Sequence, residues 1–260
     1  MKSEKFLRLN CGIMLSIFND RQNARNVYIR FIPRATLMTK ISTGAAFFDN
    51  FLVGGYDDDI VTTLYGPSGS GKTNLCLLTA VKIAESGKKV ILIDTEGGIA
   101  VERIKQLTTR AEAVLDKILF FTPATFVEQK DAFEKLREMV NDTIGLIVVD
   151  SISMLYRLEL GRSEEVYEVN SALGKQIAYL VEIARKNKIP VLVTTQVYSD
   201  FDNRDAVKIV GGDLLKYGSK CLLELVKFSK GRGIILRKHR SLPEGKELKF
   251  RIIQEGIEEM

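Results

Sequence analysis

The segment GPSGSGKT, residues Gly66, Pro67, Ser68, Gly69, Ser70, Gly71, Lys72 and Thr73, holds the residue types that cradle a nucleotide's phosphates. Its glycines let backbone N–H groups curl round phosphate oxygens, and a helix starting at its end adds a positive pole. Lys72 would reach the terminal phosphates and the Thr73 hydroxyl would hold Mg²⁺. A glycine-rich turn capping a helix is the plainer reading. The lysine and the strand-before, helix-after context set it aside, so ATP or GTP binding follows.

Phosphate chemistry also needs carboxylates. GLIVVD (145–150) is an apolar run ending in Asp150, the place for a group that holds a Mg²⁺ water shell opposite the loop. The next residue is Ser151, which disfavours ATPase classes that put their water-activating carboxylate directly after this aspartate. The candidate base is then Glu96 in ILIDTEGG (91–98), just past another apolar run, where it could polarise a water for in-line attack. DTEGG also reads as a turn with solvated acids. VLVTTQ (191–196) ends in Gln196, whose amide could hydrogen-bond a γ-phosphate and report its presence.

Such residues act together only if their strand ends converge. From Ile60 the chain alternates: strand 60–65, helix 72–86, strand 89–94, helix 99–115, strand 118–121, helix 126–140, strand 145–150, helix 163–187 and strand 191–196. This βα repeat predicts an α/β fold, a mainly parallel sheet flanked by helices, with ligands at the carboxyl ends of the strands. After residue 210, CLLELVKF, RGIILRKH and KELKFRII read as C-terminal antiparallel strands extending the sheet.

With 260 residues and 45% apolar composition the chain can bury one full core. Cys11, Cys76 and Cys221 lie far apart, with neither a disulfide framework nor a zinc pattern, which suits structural thiols in a cytoplasmic protein. The net charge of +5 sits in the first 37 residues, where seven basic side chains meet two acidic ones; the remaining 31 basic and 31 acidic residues balance. The whole-chain charge is therefore no evidence for nucleic-acid binding unless that leader is a folded part of the protein. Its longest apolar run, CGIMLSIF, is too short to span a bilayer. The leader reads as a flexible basic arm, a targeting peptide or, the preferred reading, sequence upstream of a true start at Met38, since its pattern commits to no element.

The glutamate after the second strand, the aspartate without a following glutamate and the glutamine at the next strand end together resemble the RecA/RadA recombinase superfamily. The resemblance runs from about Ile41 to Glu259, through ISTGAAFFDNFLVGGY, YGPSGSGKTNL, LIDTEGGIAVERI, LIVVDSIS, TTQVYSDF and ILRKHRSLPEGKELKFRIIQEGIEE. It is nearest in kind to an archaeal paralogue that consists of the ATPase core alone. It implies a RecA-like P-loop ATPase core over 38–260, ATP binding with slow hydrolysis, DNA binding, and an accessory role in homologous recombination and repair. Carried over, Lys72 and Thr73 are the phosphate and Mg²⁺ contacts, Asp150 the second metal-side group, Glu96 the base and Gln196 the phosphate sensor. Arg103, in VERI, matches a position near the adenine, although a helical surface arginine is the commoner case. Lys238 and Arg240, in RKHR, match the place where family members offer cations to the neighbouring subunit's nucleotide; edge strands also carry such residues simply to prevent aggregation. His239, the one histidine, reads as an exposed strand residue.

The departures bear on function. The N-terminal helical DNA-binding domain of strand-exchange recombinases does not appear in this sequence. The region after Asp150 reads LGRSEEVYEVN, with Glu164, Glu165 and Glu168 against Arg162, and carboxylates repel DNA phosphates. The second DNA-facing loop, VYSDFDNRDAVKIV, offers Tyr198 and Phe201 for stacking but sets Asp200, Asp202 and Asp205 against Arg204 and Lys208. Residues 216–251, with eleven basic and three acidic side chains, carry a local +8, and DNA contact is expected there, with Lys230, Arg232 and Lys249 as candidates; an ordinary solvated sheet edge is the plainer alternative.

The leading reading is a DNA-binding, slowly hydrolysing ATPase that assists recombination without efficient strand exchange. Its expected partners are single-stranded or branched DNA bound without sequence preference, the main recombinase or a junction nuclease, and further copies of itself, with no membrane. A P-loop kinase acting on a small molecule is one alternative, though no arginine-rich lid interrupts the core strands. An ATP-gated, non-catalytic interaction module is another.

Overall fold

VTTLY, KVILID, IGLIVVD and VLVTT are β-branched and aliphatic runs without polar alternation, the pattern of strands covered on both faces. The computed structural model sets these four strands side by side in one sheet. It describes residues 39–162, 165–199 and 207–260, together with the backbone of three strands before residue 33.

The chain divides into two units, Met1–Thr39 and Lys40–Met260. In the first, β1 (Ser3–Arg8), β2 (Met14–Asn19) and β3 (Ile29–Ile32) form an antiparallel sheet in that order. The leader thus does contain elements: runs of four to six residues are too short for periodicity to declare them.

In the second unit, β4 (Lys40–Ile41), α1 (Ala46–Phe51) and β5 (Tyr56–Asp57) precede β6 (Val61–Tyr65), the phosphate loop and α2 (Lys72–Glu85). Then follow β7 (Lys89–Asp94), α3 (Val101–Leu107), α4 (Ala111–Leu115), β8 (Ile118–Phe121), α5 (Phe126–Met139) and β9 (Ile144–Asp150). The chain continues through α6 (Met154–Leu160), α7 (Val166–Asn187), β10 (Val191–Thr195), the hairpin β11 (Val197–Ser199) and β12 (Val207–Ile209), and α8 (Gly212–Gly218). It ends in β13 (Cys221–Lys227), β14 (Arg232–His239), β15 (Glu247–Ile253) and β16 (Gly256–Glu259).

The nine-stranded sheet has the order β16-β15-β14-β13-β6-β10-β9-β7-β8. It is parallel from β13 to β8 and antiparallel from β13 to β16. The expected α/β class and C-terminal extension are therefore present, with one correction: the first C-terminal strand joins β6 in parallel, and reversal begins at β14. Strand residues alternate between two cores. Val90, Leu92, Leu146 and Val148 join Leu75, Ala80 and Val81 of α2 on one face. Ile91, Ile93, Ile147 and Val149 join Leu173, Ile177 and Leu180 of α7 on the other.

Two helix boundaries also differ from expectation. The stretch 99–115 is two helices, because the Thr108 hydroxyl accepts from the Arg110 N–H and donates to Glu85, turning the chain locally. The helix expected at 163–187 starts at Val166, residues 163 and 164 lying outside the described ones, and a separate α6 precedes it. Cys76 and Cys221 are buried free thiols, as read, while Cys11 lies outside the described residues. Among the described residues no helix is long and apolar enough to cross a membrane.

Candidate nucleotide-binding site

The sheet register brings the site together. Thr195 pairs with Tyr65, and Asp94 with Asp150, so the ends of β6, β10, β9 and β7 stop nearly level and their next residues share one edge. The phosphate loop leaves β6 at Gly66. A Cβ there would stand 2.2 Å from the Leu225 carbonyl oxygen, so only glycine lets the loop lie against β13. Lys72 opens α2 and is 8% exposed. Its Nζ donates to the carbonyls of Gly66 at 2.9 Å and Pro67 at 3.0 Å, closing the loop on itself. Burial lowers its pKa, while the charges of Glu96 and Asp150 act in the opposite direction. The Ser70 hydroxyl is buried without a hydrogen-bond partner among the described residues.

Asp150 is 4% exposed. The Thr194 and Thr73 hydroxyls both bond its carboxylate. Burial raises its pKa, and those two hydrogen bonds lower it. The Thr95 amide donates to the Asp150 carbonyl at 2.8 Å and the Thr95 hydroxyl to the Ser151 carbonyl at 2.6 Å, which locks the ends of β7 and β9 together.

Glu96 stands on a turn shaped by its neighbour. The Asp94 carboxylate accepts from the backbone N–H groups of Glu96 (3.1 Å), Gly97 (2.8 Å) and Ile99 (3.1 Å). Across the sheet edge, the Gln196 amide Nε2 donates to Glu96 Oε1 at 3.0 Å, although β9 lies between their strands, β10 and β7. These two residues, Gly71, Lys72, Thr73 and Arg232 line a cavity of about 170 Å³. Behind Gln196, its carbonyl accepts from the Val210 N–H at 3.1 Å and the Thr195 hydroxyl donates to the Val210 carbonyl at 2.9 Å, joining β10 to the end of the β11–β12 hairpin.

The structure therefore gathers the loop, Glu96, Asp150 and Gln196 at one edge. Arg103 stands beside them as a clamp: its guanidinium donates to the Asn74 side chain at 2.7 Å and to the carbonyls of Ile253, Gln254 and Gly256, tying α3 to α2 and to the β15–β16 turn. Lys238 and Arg240 are not brought to this cavity. Six and eight residues beyond Arg232, they lie roughly 20 Å or more along the chain at 3.3 Å per residue. Lys238 Nζ donates to the carbonyls of Lys216 (2.6 Å) and Ser219 (2.9 Å), and Arg240 binds Asp57 (2.9 Å) and Asp59 (2.5 Å).

His239, expected to be exposed, has a side chain 2% exposed, with Nε2 3.6 Å from Asp57. Nδ1 accepts the backbone N–H groups of Ser241 and Leu242, which puts the proton of the neutral ring on Nε2, facing the aspartate. Burial lowers its pKa, against the pull of Asp57. Of the three cations expected to face DNA, Lys230 is exposed and Lys249 stands 5.8 Å from the Phe228 ring centroid, but Arg232 lines the phosphate-loop cavity. In the two expected DNA-facing loops, Tyr198 is 44% exposed, whereas Glu164, Phe201, Arg204 and the side chain of Lys208 lie outside the described residues.

The sequence reading missed Asp94, Asn74, Thr194 and the placement of Arg232. Asp94 alone carried a local signal, an aspartate three residues before a Gly-Gly pair, as Asx turns favour. Among the described residues no cluster of three or more His, Cys, Asp or Glu could hold a metal alone. Thr73 with Asp150 fits instead a Mg²⁺ ion that takes its other ligands from water and phosphate.

Compared with known proteins, residues 34–260 match the family profile described as Rad51. The chain belongs to the Rad51 family. It is 43% identical over 212 residues to the DNA repair and recombination protein RadB of Methanococcus maripaludis strain C7, covering 81% of this chain and 96% of that protein. It is 40% identical over 227 residues to RadB of Methanobrevibacter smithii, covering 84% and 95%. The crystal structure of the RadB recombinase superimposes with a TM-score of 0.73 at 39% identity, covering 85% of this chain and 99% of that one. The Rad51-family chain thus has the RecA-like fold expected of it, and the resemblance to the archaeal paralogue is borne out.

Proposed function

We propose that this Rad51-family chain is an ATP-binding, slowly hydrolysing RecA paralogue that binds DNA and assists homologous recombination and repair without efficient strand exchange itself. The observation that carries the reading is the hydrogen bond from Gln196 to Glu96 at 3.0 Å on the rim of the cavity that Lys72 and Thr73 line. A base and an amide facing one phosphate-binding space are what in-line water attack on a γ-phosphate requires.

In this reading Lys72 and the loop amides bind the phosphates. Thr73 and Asp150 hold Mg²⁺, which when bound neutralises charge on the phosphate oxygens. Gln196 donates its amide to the Glu96 carboxylate. A γ-phosphate competes for that amide, which leaves the carboxylate to orient a water and accept its proton. The shift of Gln196 passes to Val210 through the bonds of Thr195 and Gln196, so the hairpin beyond reads the occupancy of the loop.

The DNA half of the proposal is supported by the names of the RadB relatives and by the exposed lysines of the C-terminal strands. Single-stranded or branched DNA is the expected ligand, with the main recombinase or a junction nuclease as protein partner and homo-oligomers as the assembly. Lys238 and Arg240 could serve a neighbouring subunit's nucleotide only after leaving the bonds they make within their own chain.

The test is ATP binding and hydrolysis measured side by side on the parent chain and on Lys72→Ala. Binding and slow turnover in the parent, both lost in the variant with its fold intact, are expected. Binding with no turnover at all would make the chain an ATP-gated interaction module instead, and retained affinity in Lys72→Ala would remove the phosphate-loop reading.

A further inference from the structure

We propose that Arg232 is a nucleotide-contacting residue, a second cation, supplied by the C-terminal sheet, for the phosphate chain of the nucleoside triphosphate. The inference deepens the function proposed above and rests on it. Its basis is sheet register. β6 ends at Tyr65, opposite Glu224, but β13 continues to Lys227. Three further residues span about 10 Å, so β13 runs on beside the loop. The 2.2 Å approach that a Cβ on Gly66 would make to the Leu225 oxygen shows how closely loop and strand are packed.

The chain then reverses over Phe228–Gly231, closed by the Phe228 N–H donating to the Gly231 carbonyl at 2.9 Å, and Arg232 returns opposite Lys227. Both cations land on the loop. Lys227 Nζ lies 3.5 Å from the Ser68 carbonyl oxygen, and Arg232 Nε donates to the Gly69 carbonyl at 3.1 Å. The Arg232 Cδ is 3.3 Å from where a Cβ on Gly71 would stand, so the side chain lies across the loop rather than away from it.

A guanidinium has five N–H donors, and here Nε–H is the one turned to the protein. Among the described residues neither Nη group has a protein acceptor, and the residue lines the cavity with Lys72, Thr73, Glu96 and Gln196. Two Nη groups held by an anchored Nε suit paired hydrogen bonds to phosphate oxygens, the geometry in which arginine surpasses lysine. The basic C-terminal segment therefore divides in two. Lys227 and Arg232 face the loop, whereas Lys230 at the turn and Lys249 beside Phe228 remain for an outside polyanion.

The experiment is titration of the full chain with ATP and Mg²⁺ at several salt concentrations, comparing parent, Arg232→Gln, Arg232→Lys, Lys230→Gln and Lys72→Ala. Arg232→Gln should raise the Kd for ATP about tenfold, as expected for one lost charge-assisted contact, and flatten its salt dependence. Arg232→Lys should keep the salt slope with an intermediate Kd, and Lys230→Gln should match the parent. A parental Kd in Arg232→Gln, alongside lost binding in Lys72→Ala, overturns this inference alone. A raised Kd with an unchanged salt slope also overturns it, since the residue would then only shape the loop through Gly69. If the parent binds no ATP, or Lys72→Ala binds as the parent does, the loop reading fails and this one with it.

Discussion

Replacing Glu96 by glutamine separates chemistry from binding. The variant keeps the side chain's size and an oxygen that can still accept from Gln196 at the 3.0 Å separation seen in the parent. The turn beneath is held by Asp94 through three backbone N–H groups, none of which involves the Glu96 side chain. Geometry should therefore survive. What disappears is a proton acceptor, whose positioned contribution is about 10²-fold or more in rate, or about 2.7 kcal/mol of barrier. Binding should move little and in the favourable direction, because a negative charge leaves a cavity that must receive phosphates. The expected result is kcat down by about 10²-fold or more with an equal or slightly lower Kd for ATP, read by phosphate release under saturating ATP and by equilibrium titration. An unchanged kcat would make Glu96 a bystander and return DTEGG to a turn with solvated acids. A large loss of affinity would show that the glutamate shapes the site rather than acting on water.

Four further outcomes are expected. Gly66→Ala, whose Cβ would stand 2.2 Å from the Leu225 oxygen, should lower the thermal midpoint and abolish ATP binding, checked by circular dichroism and titration. Asp94→Ala should release three backbone N–H groups and lower kcat more than ATP affinity, with a loss of about 1–3 kcal/mol in unfolding free energy. Because burial holds the folded pKa of His239 below its ordinary value, the unfolded chain binds more protons in the window below about 6.5; stability should fall as pH drops from there towards the folded pKa, and denaturant titrations of His239→Asn should lack that component. A chain starting at Met38 should bind ATP as the full chain does, and reversing Lys230 and Lys249 to glutamate in it should weaken DNA binding and flatten its salt slope.

Much of this was legible because the relevant code is local. Strand 89–94 and helix 72–86 follow from continuous apolar runs and from a loop that needs a helix after it, and both match within a residue. Glu96, Asp150 and Gln196 could be named because parallel strands end at one edge, so being last in a buried run is itself a coordinate. The break in 99–115 was hidden because Thr108 makes it with a side chain that helices also tolerate. The C-terminal residues were read least well. His239 sits in a run as basic as any surface strand, and its burial against Asp57 depends on β5, some 180 residues earlier in the chain. Arg232 and Lys230 differ by two positions and share a charge; what separates them is a hairpin turn and the alignment of β13 with the loop, neither of which is written in composition.

The overrun of β13 past β6 also constrains which changes in chain length this fold can accept. Lys227 and Arg232 face each other across a turn of four residues, and one added or lost residue would carry Arg232 to the opposite face of the strand. Insertions in that turn should therefore separate chains that keep a cation on the loop from chains that do not. A survey of turn lengths among related chains would find arginine or lysine at the returning position where the turn holds four residues, and no such preference where it is longer or shorter by one.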